Sequence, residues 1–155
     1  MPRPQSVLDK TQFLNVDLDI RSRSDLQPLV DAMGKKIIVL YIERFKGTCT
    51  ARLELSGSHL PRDKHSQSPE LIILRFCKLI GGLPPEARKL WDGARSREFD
   101  IGIESHGPMR YYWFAVASRA LRAAVEIDAQ IAVTVYGPMK KAQTPNKSRE
   151  IALAN

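Results

Sequence analysis

Polar and apolar residues alternate along much of this chain. From Phe13 to Ser22, apolar Leu14, Val16, Leu18 and Ile20 alternate with Asn15, Asp17, Asp19 and Arg21. That period of two predicts a strand with one buried face. Ser24-Asp25-Leu26-Gln27 then forms a capping-box arrangement ahead of Leu26, Leu29, Val30 and Met33 at helical spacing, with Gly34 as a stop, which predicts a short helix. Pro28 is tolerated there because it falls in or beside the first turn.

Ile37 to Ile42 is unbroken apolar sequence rich in β-branched residues, and it reads as a central strand buried on both faces. Phe45-Lys-Gly47 turns the chain. Cys49, Ala51, Leu53 and Leu55 then alternate with Thr48, Thr50, Arg52 and Glu54, completing a hairpin with a half-exposed outer strand. Residues 56–68 form a polar connection. Ser68-Pro69-Glu70 opens a second helix that runs to Gly81-Gly82, and a short third helix carries Leu90 and Trp91.

Phe99, Ile101 and Ile103 mark a fourth strand, Tyr111-Tyr112-Trp113-Phe114 a fifth, and Gln130 to Tyr136 a sixth, with Ser118 capping the helix between the last two. The order β-α-β-β-α-(α)-β-β-α-β predicts an α+β two-layer sandwich: a mixed six-stranded sheet, helices on one face, and a split-βαβ, ferredoxin-like first part. The domain is expected over residues 13–138, between an extension at 1–12 and a basic, flexible tail at 139–155.

Asn15-Val-Asp-Leu-Asp-Ile20 followed by Ser24-Asp25-Leu26, the Leu90-Trp91-Asp92 helix and the terminal Val135-Tyr136-Gly137-Pro138 resemble a family of uncharacterised bacterial proteins. The resemblance spans roughly residues 13–138, a usual domain size. Its motifs are structural, so it implies no activity.

Composition narrows the class. At 155 residues and 43% hydrophobic content the chain suits one globular domain. It opens without an apolar leader, and no apolar run approaches the ~18 residues of a membrane span. Cys49 and Cys77 both fall in apolar patterns, which predicts reduced, buried thiols and a cytoplasmic setting. The formal charge is +7; residues 60–95 (seven basic, four acidic) and 139–155 (four basic, one acidic) each supply three units of that excess.

Candidate chemistry is sparse. Gly102-Ile-Glu-Ser-His-Gly107 has the glycine spacing of a phosphate loop but lacks the Lys and Ser/Thr that meet phosphate and magnesium. His59, Asp63 and His65 share one loop without zinc-like spacing, and neither Cys49 nor Cys77 has a CxxC partner. Gly57-Ser58-His59 is not a nucleophile elbow, and a pairing of either cysteine with His106 is unconstrained by sequence. These absences call for no cofactor and no metal.

The outward face of the sheet is the better candidate. Asp17, Asp19, Arg52, Glu54, Asp100 and Glu104 should project from it, together with Tyr111 and Trp113, or else Tyr112 and Phe114. That set suits a ligand groove or a protein interface, with a solvated face of cross-strand ion pairs as the plain alternative. The leading expectation is a non-catalytic interaction or ligand-binding module acting through its sheet face or edge, with a protein, a small ligand or a second copy as partner. A nucleic-acid binder is the alternative, using Arg62, Lys64, Lys140, Lys141, Lys147 and Arg149, whose charges would release counterions from a phosphate backbone. A third is an enzyme of unrecognised type built on Asp17, Asp19 and Asp100, the first two spaced about 6.6 Å apart along a strand.

Overall fold

A computed structural model describes residues 11–60, 68–106 and 111–137. Five strands, β1 (Gln12–Ser22), β2 (Ile37–Phe45), β3 (Thr48–Leu55), β4 (Ser96–Glu104) and β5 (Gln130–Tyr136), form one sheet in the order β2-β3-β1-β4-β5. All neighbours are antiparallel except β4 and β5, which run parallel. The helices are α1 (Gln27–Met33), α2 (Pro69–Gly81), α3 (Pro85–Asp92) and α4 (Ser118–Glu126). The α+β class and the mixed sheet agree with the sequence pattern. Among the described residues the sheet has five strands, not six.

The missing strand is Tyr111–Phe114. Strands β4 and β5 are parallel neighbours, so the chain between them must travel back the full length of the sheet. The aromatic run is irregular and lies on that return path, ahead of α4.

The alternating strands bury the expected faces. Val16, Leu18 and Ile20 of β1, Cys49, Ala51, Leu53 and Leu55 of β3, and Phe99, Ile101 and Ile103 of β4 join Leu29, Ile72, Phe76 and Trp91 of the helices in one core. Leu14 departs from its alternation: the β1–β4 register slips between Phe13 and Asn15, and Leu14 is left 44% exposed. The two-residue hairpin between β2 and β3 is made by Lys46 and Gly47, both at positive φ, matching the twist of the flanking strands.

Helix starts follow local chemistry. Ser68 accepts a hydrogen bond from the Leu71 amide and caps α2. For α1 the expected box is replaced by Asp25 Oδ1, which accepts from the Gln27 amide at 3.0 Å, so the helix starts later. Ser118 is the first residue of α4 rather than its cap, since Ala117 occupies that position without a side-chain bond.

The largest departure concerns β2. Expected at the centre, it is an edge strand, and β3, expected as the outer strand of the hairpin, lies inside between β2 and β1: Ile37 is buried, while Ile38, Val39, Leu40 and Tyr41 are each between 39% and 47% exposed and Phe45 is 70% exposed. A continuous apolar run marks a strand without telling whether neighbours flank it on both sides. No helix among the described residues is long and apolar enough to cross a membrane.

Candidate functional site: the open face of the sheet

Residues directly opposite in a ladder point to the same face, so the register maps the side of the sheet away from the core. One row across it reads Tyr41, Arg52, Asp19, Glu98, Gln130, and the next pairs Asp17 with Asp100 and Ala132. Adding Ile38 opposite Glu54, Glu43 opposite Thr50, Arg21 opposite Ser96, and Gln12 opposite Glu104, the face carries seven carboxylates (Asp17, Asp19, Glu43, Glu54, Glu98, Asp100, Glu104) against two guanidinium groups (Arg21, Arg52). A chain with a formal charge of +7 therefore presents a net negative sheet face.

Arg52 stands at its centre. Its Nη2 donates to Asp100 Oδ2 at 2.7 Å and lies 3.2 Å from Asp19 Oδ2, and its Nε is 3.1 Å from Asp17 Oδ2. The Nε contact is coulombic rather than a hydrogen bond, because the N–H is not aligned with the oxygen; Asp19 Oδ1 is likewise buried without a hydrogen-bond partner among the described residues. Thr134 Oγ1 on β5 donates to Asp100 Oδ1 at 2.8 Å, and Asn15 Nδ2 lies 3.4 Å from Asp17 Oδ1.

Three aspartates around one guanidinium leave a local surplus of negative charge in a partly desolvated place. Burial pushes the Asp17 carboxyl up to about 6, Arg52 opposes the rise, and Glu54 and Asp19 add to it. Asp19 is raised by the same burial, with Arg52 opposing and Asp100 adding. At the far end of β4, Glu104 is held below the usual carboxylate range, mainly by its hydrogen bond with His106, whose Nε2 is 3.0 Å away, and by Gln12.

Beside the aspartates lies a shallow depression of about 180 Å³ lined by Leu14, Asn15, Asp17, Glu54, Asp100, Gly102 and Tyr136. The Tyr136 ring lies beside Gly102, 3.6 Å from where a Cβ would stand, an ordinary contact distance. This is the cross-strand cover an aromatic gives a strand glycine.

The structure brings Asp17, Asp19, Arg52, Glu54 and Asp100 together and puts Glu104 at the end of the same face. Tyr111 and Trp113 lie elsewhere: the segment that carries them is irregular, and Tyr111, Tyr112 and Phe114 line a separate depression of about 250 Å³ with Ile103, Val133 and Val135, on the core side of β4 and β5. Neither aromatic pair joins the carboxylates. The aromatics that do share the open face, Tyr41, Phe45 and Tyr136, were missed, as were Asn15, Thr134 and the apolar edge of β2. Thr134 and Tyr136 have a visible signal in the alternation of β5, whereas Tyr41 was hidden inside a run read as fully buried.

Among the described residues, no group of three or more His, Cys, Asp and Glu side chains could hold a metal ion. The side chains of His59, Asp63 and His65 lie outside the described residues, as do Gly107 and the basic residues Arg62, Lys64, Lys140, Lys141, Lys147 and Arg149. Cys49 and Cys77 are free, buried thiols, and burial pushes Cys77 up to about 11. Cys49 pairs with Ser22 near the Ser96 end of β4 while His106 follows the opposite end, so the strand length separates them. Gly102 and Glu104 lie within β4, as the alternation of that strand predicts, so the glycine spacing there belongs to a strand and not to a phosphate loop.

A larger groove of about 580 Å³ opens on the other side of the molecule, between the start of β2, the end of β3 and α2. Lys36, Arg75 and Lys78 surround Leu55 and Leu79 there.

Comparison with known proteins adds no relative: no family model, no curated protein and no solved structure matches this chain.

Proposed function

We propose that this protein is a non-catalytic interaction module that binds through the open face and the β2 edge of its sheet. The observation that carries the reading is the edge itself. Four consecutive apolar residues, Ile38 to Tyr41, are exposed on an outermost strand whose outward backbone row has no strand partner among the described residues. Such a row is a template for another chain, and exposed apolar side chains beside it favour burial by a partner.

The carboxylates support binding over catalysis. Arg52 and Thr134 engage Asp17, Asp19 and Asp100, and the neighbouring depression is smaller than the ~300 Å³ at which small-molecule sites begin. Their net negative charge also disfavours a phosphate backbone laid across the sheet. The first four strands, in the order β2-β3-β1-β4 with every pair antiparallel, support the ferredoxin-like reading of that part, and we carry the resemblance to uncharacterised bacterial proteins forward with it.

Site-specific photo-crosslinking in extracts of the source cells tests the proposal. A crosslinker at Tyr41 or Ile38 is expected to form adducts, and one at Lys89 on α3 is not. Equal labelling from both sides, or none from the edge, removes the reading.

A second reading rests on the larger groove, where Lys36, Arg75 and Lys78 around an apolar floor suit an anionic ligand such as a nucleic-acid phosphate. Single-stranded RNA binding that weakens steeply with salt and is lost in a Lys36→Glu/Lys78→Glu variant would favour it. Binding insensitive to salt would dismiss it.

A further inference from the structure

Resting on the second reading above, that the larger groove holds an anion, we propose that its ligand is a small organic phosphate, a monoester of nucleoside size. The phosphoryl group sits among Lys36, Arg75 and Lys78, and the organic part lies over Leu55 and Leu79. The groove measures about 580 Å³, within the ~300–1,000 Å³ of small-molecule sites, whereas the two other depressions, at about 180 and 250 Å³, fall below that range.

Local structure assembles the cations. Arg75 and Lys78 stand one turn apart on α2, with Leu79 on the same side, so one stripe near the end of the helix carries two positive charges beside an apolar side chain. Lys36 joins them from the position just before β2, where its carbonyl accepts from the Ser56 amide at 2.9 Å and ties the entry of β2 to the exit of β3. Ser58 adds a hydroxyl from the short turn after β3. Among the described residues no carboxylate lines the groove, and neither the Lys36 nor the Lys78 ammonium group pairs with one.

Charge selects the head of the ligand. These cations over-compensate a single carboxylate, while a phosphate monoester carries about −1.5 to −2 at pH 7 and offers three acceptor oxygens. Ammonium groups meet such a head as point charges and a guanidinium meets it as a fork. The end of a helix opposes an anion with roughly half a negative charge. Here the Gly82 amide is shared by the Lys78 and Leu79 carbonyls and the Leu83 amide donates to the Ile80 carbonyl, and Lys36 and Lys78 alone set two full positive charges against what remains.

Size selects the rest. Three cations fall short of the ~6–10 phosphate contacts of a nucleic-acid binder. Leu55, Leu79 and the lysine stems form an apolar floor that an organic part covers and inorganic phosphate leaves to water.

Amide chemical shifts of the full chain, titrated with adenosine 5′-monophosphate, inorganic phosphate and a single-stranded RNA of about ten nucleotides, test the proposal. The nucleotide should give saturating shifts centred on Lys36, Leu55, Ser58 and Lys78, with a dissociation constant of about 1 mM or tighter, and inorganic phosphate should move the same amides several-fold more weakly. Lys78→Glu should weaken nucleotide binding about tenfold, whereas Lys89→Glu, the same charge change on α3, should bind as the wild type does. If Lys78→Glu disturbs the fold, Lys36→Glu should show the loss instead. Inorganic phosphate binding as tightly as the nucleotide, or an equal loss in Lys89→Glu, overturns the proposal. RNA that binds the groove when the nucleotide does not sinks the small ligand and keeps the anionic groove, while silence from all three probes sinks both.

Discussion

Asp17 behaves unlike a surface carboxylate because its surroundings combine partial burial with two acidic neighbours and one shared guanidinium. Its value of about 6 in the folded chain lies above the ordinary 3.8, so the folded state holds the proton more tightly than the unfolded state does. The stability that this proton confers is complete below about pH 4 and is lost as pH rises through about 6. A series of thermal melts from pH 4 to pH 7 should show the wild type losing stability across that window relative to Asp17→Asn, which has no such proton to release. Parallel profiles for the two proteins would contradict the assignment. Arg52 limits the effect, since its positive charge lowers the Asp17 and Asp19 values that burial raises.

At the scale of elements, the best-formed local signals are the caps and turns. Ser68 presents its hydroxyl to the Leu71 amide at 3.3 Å, with Pro69 in the first turn and Glu70 near the positive end of the helix dipole. Ser68→Ala should cost about 1 kcal/mol in urea denaturation, and Ser68→Asp should restore most of it. Glu70 also pairs with Arg119 of α4, tying the two helices together at their ends. That contact is exposed on the arginine side, so its loss should change stability far less than loss of the cap.

For the molecule as a whole, Trp91 joins parts distant in sequence. It is fully buried, and its Nε1 donates to the Ile127 carbonyl at 2.9 Å, linking α3 to the turn that leads into β5. Arg97, buried at the start of β4, donates to the Trp91 and Asp92 carbonyls at 2.8 and 3.1 Å and to the Asp128 carbonyl at 2.9 Å, so it satisfies the end of α3 and the same turn together. Trp91→Phe keeps most of the apolar volume but orphans the Ile127 carbonyl. A loss of about 1–3 kcal/mol in unfolding free energy, read from a denaturant titration, should follow, and a neutral outcome would show that water replaces the indole.

Where neighbouring residues decide the structure, the sequence determined it. The alternations of β1, β3 and β4 name their buried faces, Ser68-Pro69 starts α2, and Lys46-Gly47 closes the hairpin, because each depends on groups a few residues apart. The cluster of Asp17, Asp19, Arg52, Glu54 and Asp100 was legible for the same reason: all five stand at outward positions of clearly alternating strands. Only the tertiary structure decided strand order. It put β2 at the edge and set β5 beside β4, which turned Tyr111–Phe114 into connection and moved Tyr111 and Trp113 away from the carboxylates. Whether an apolar run is covered on one side or two depends on which distant strands pair with it, and pairing is settled by the packing of the whole sheet against its helices.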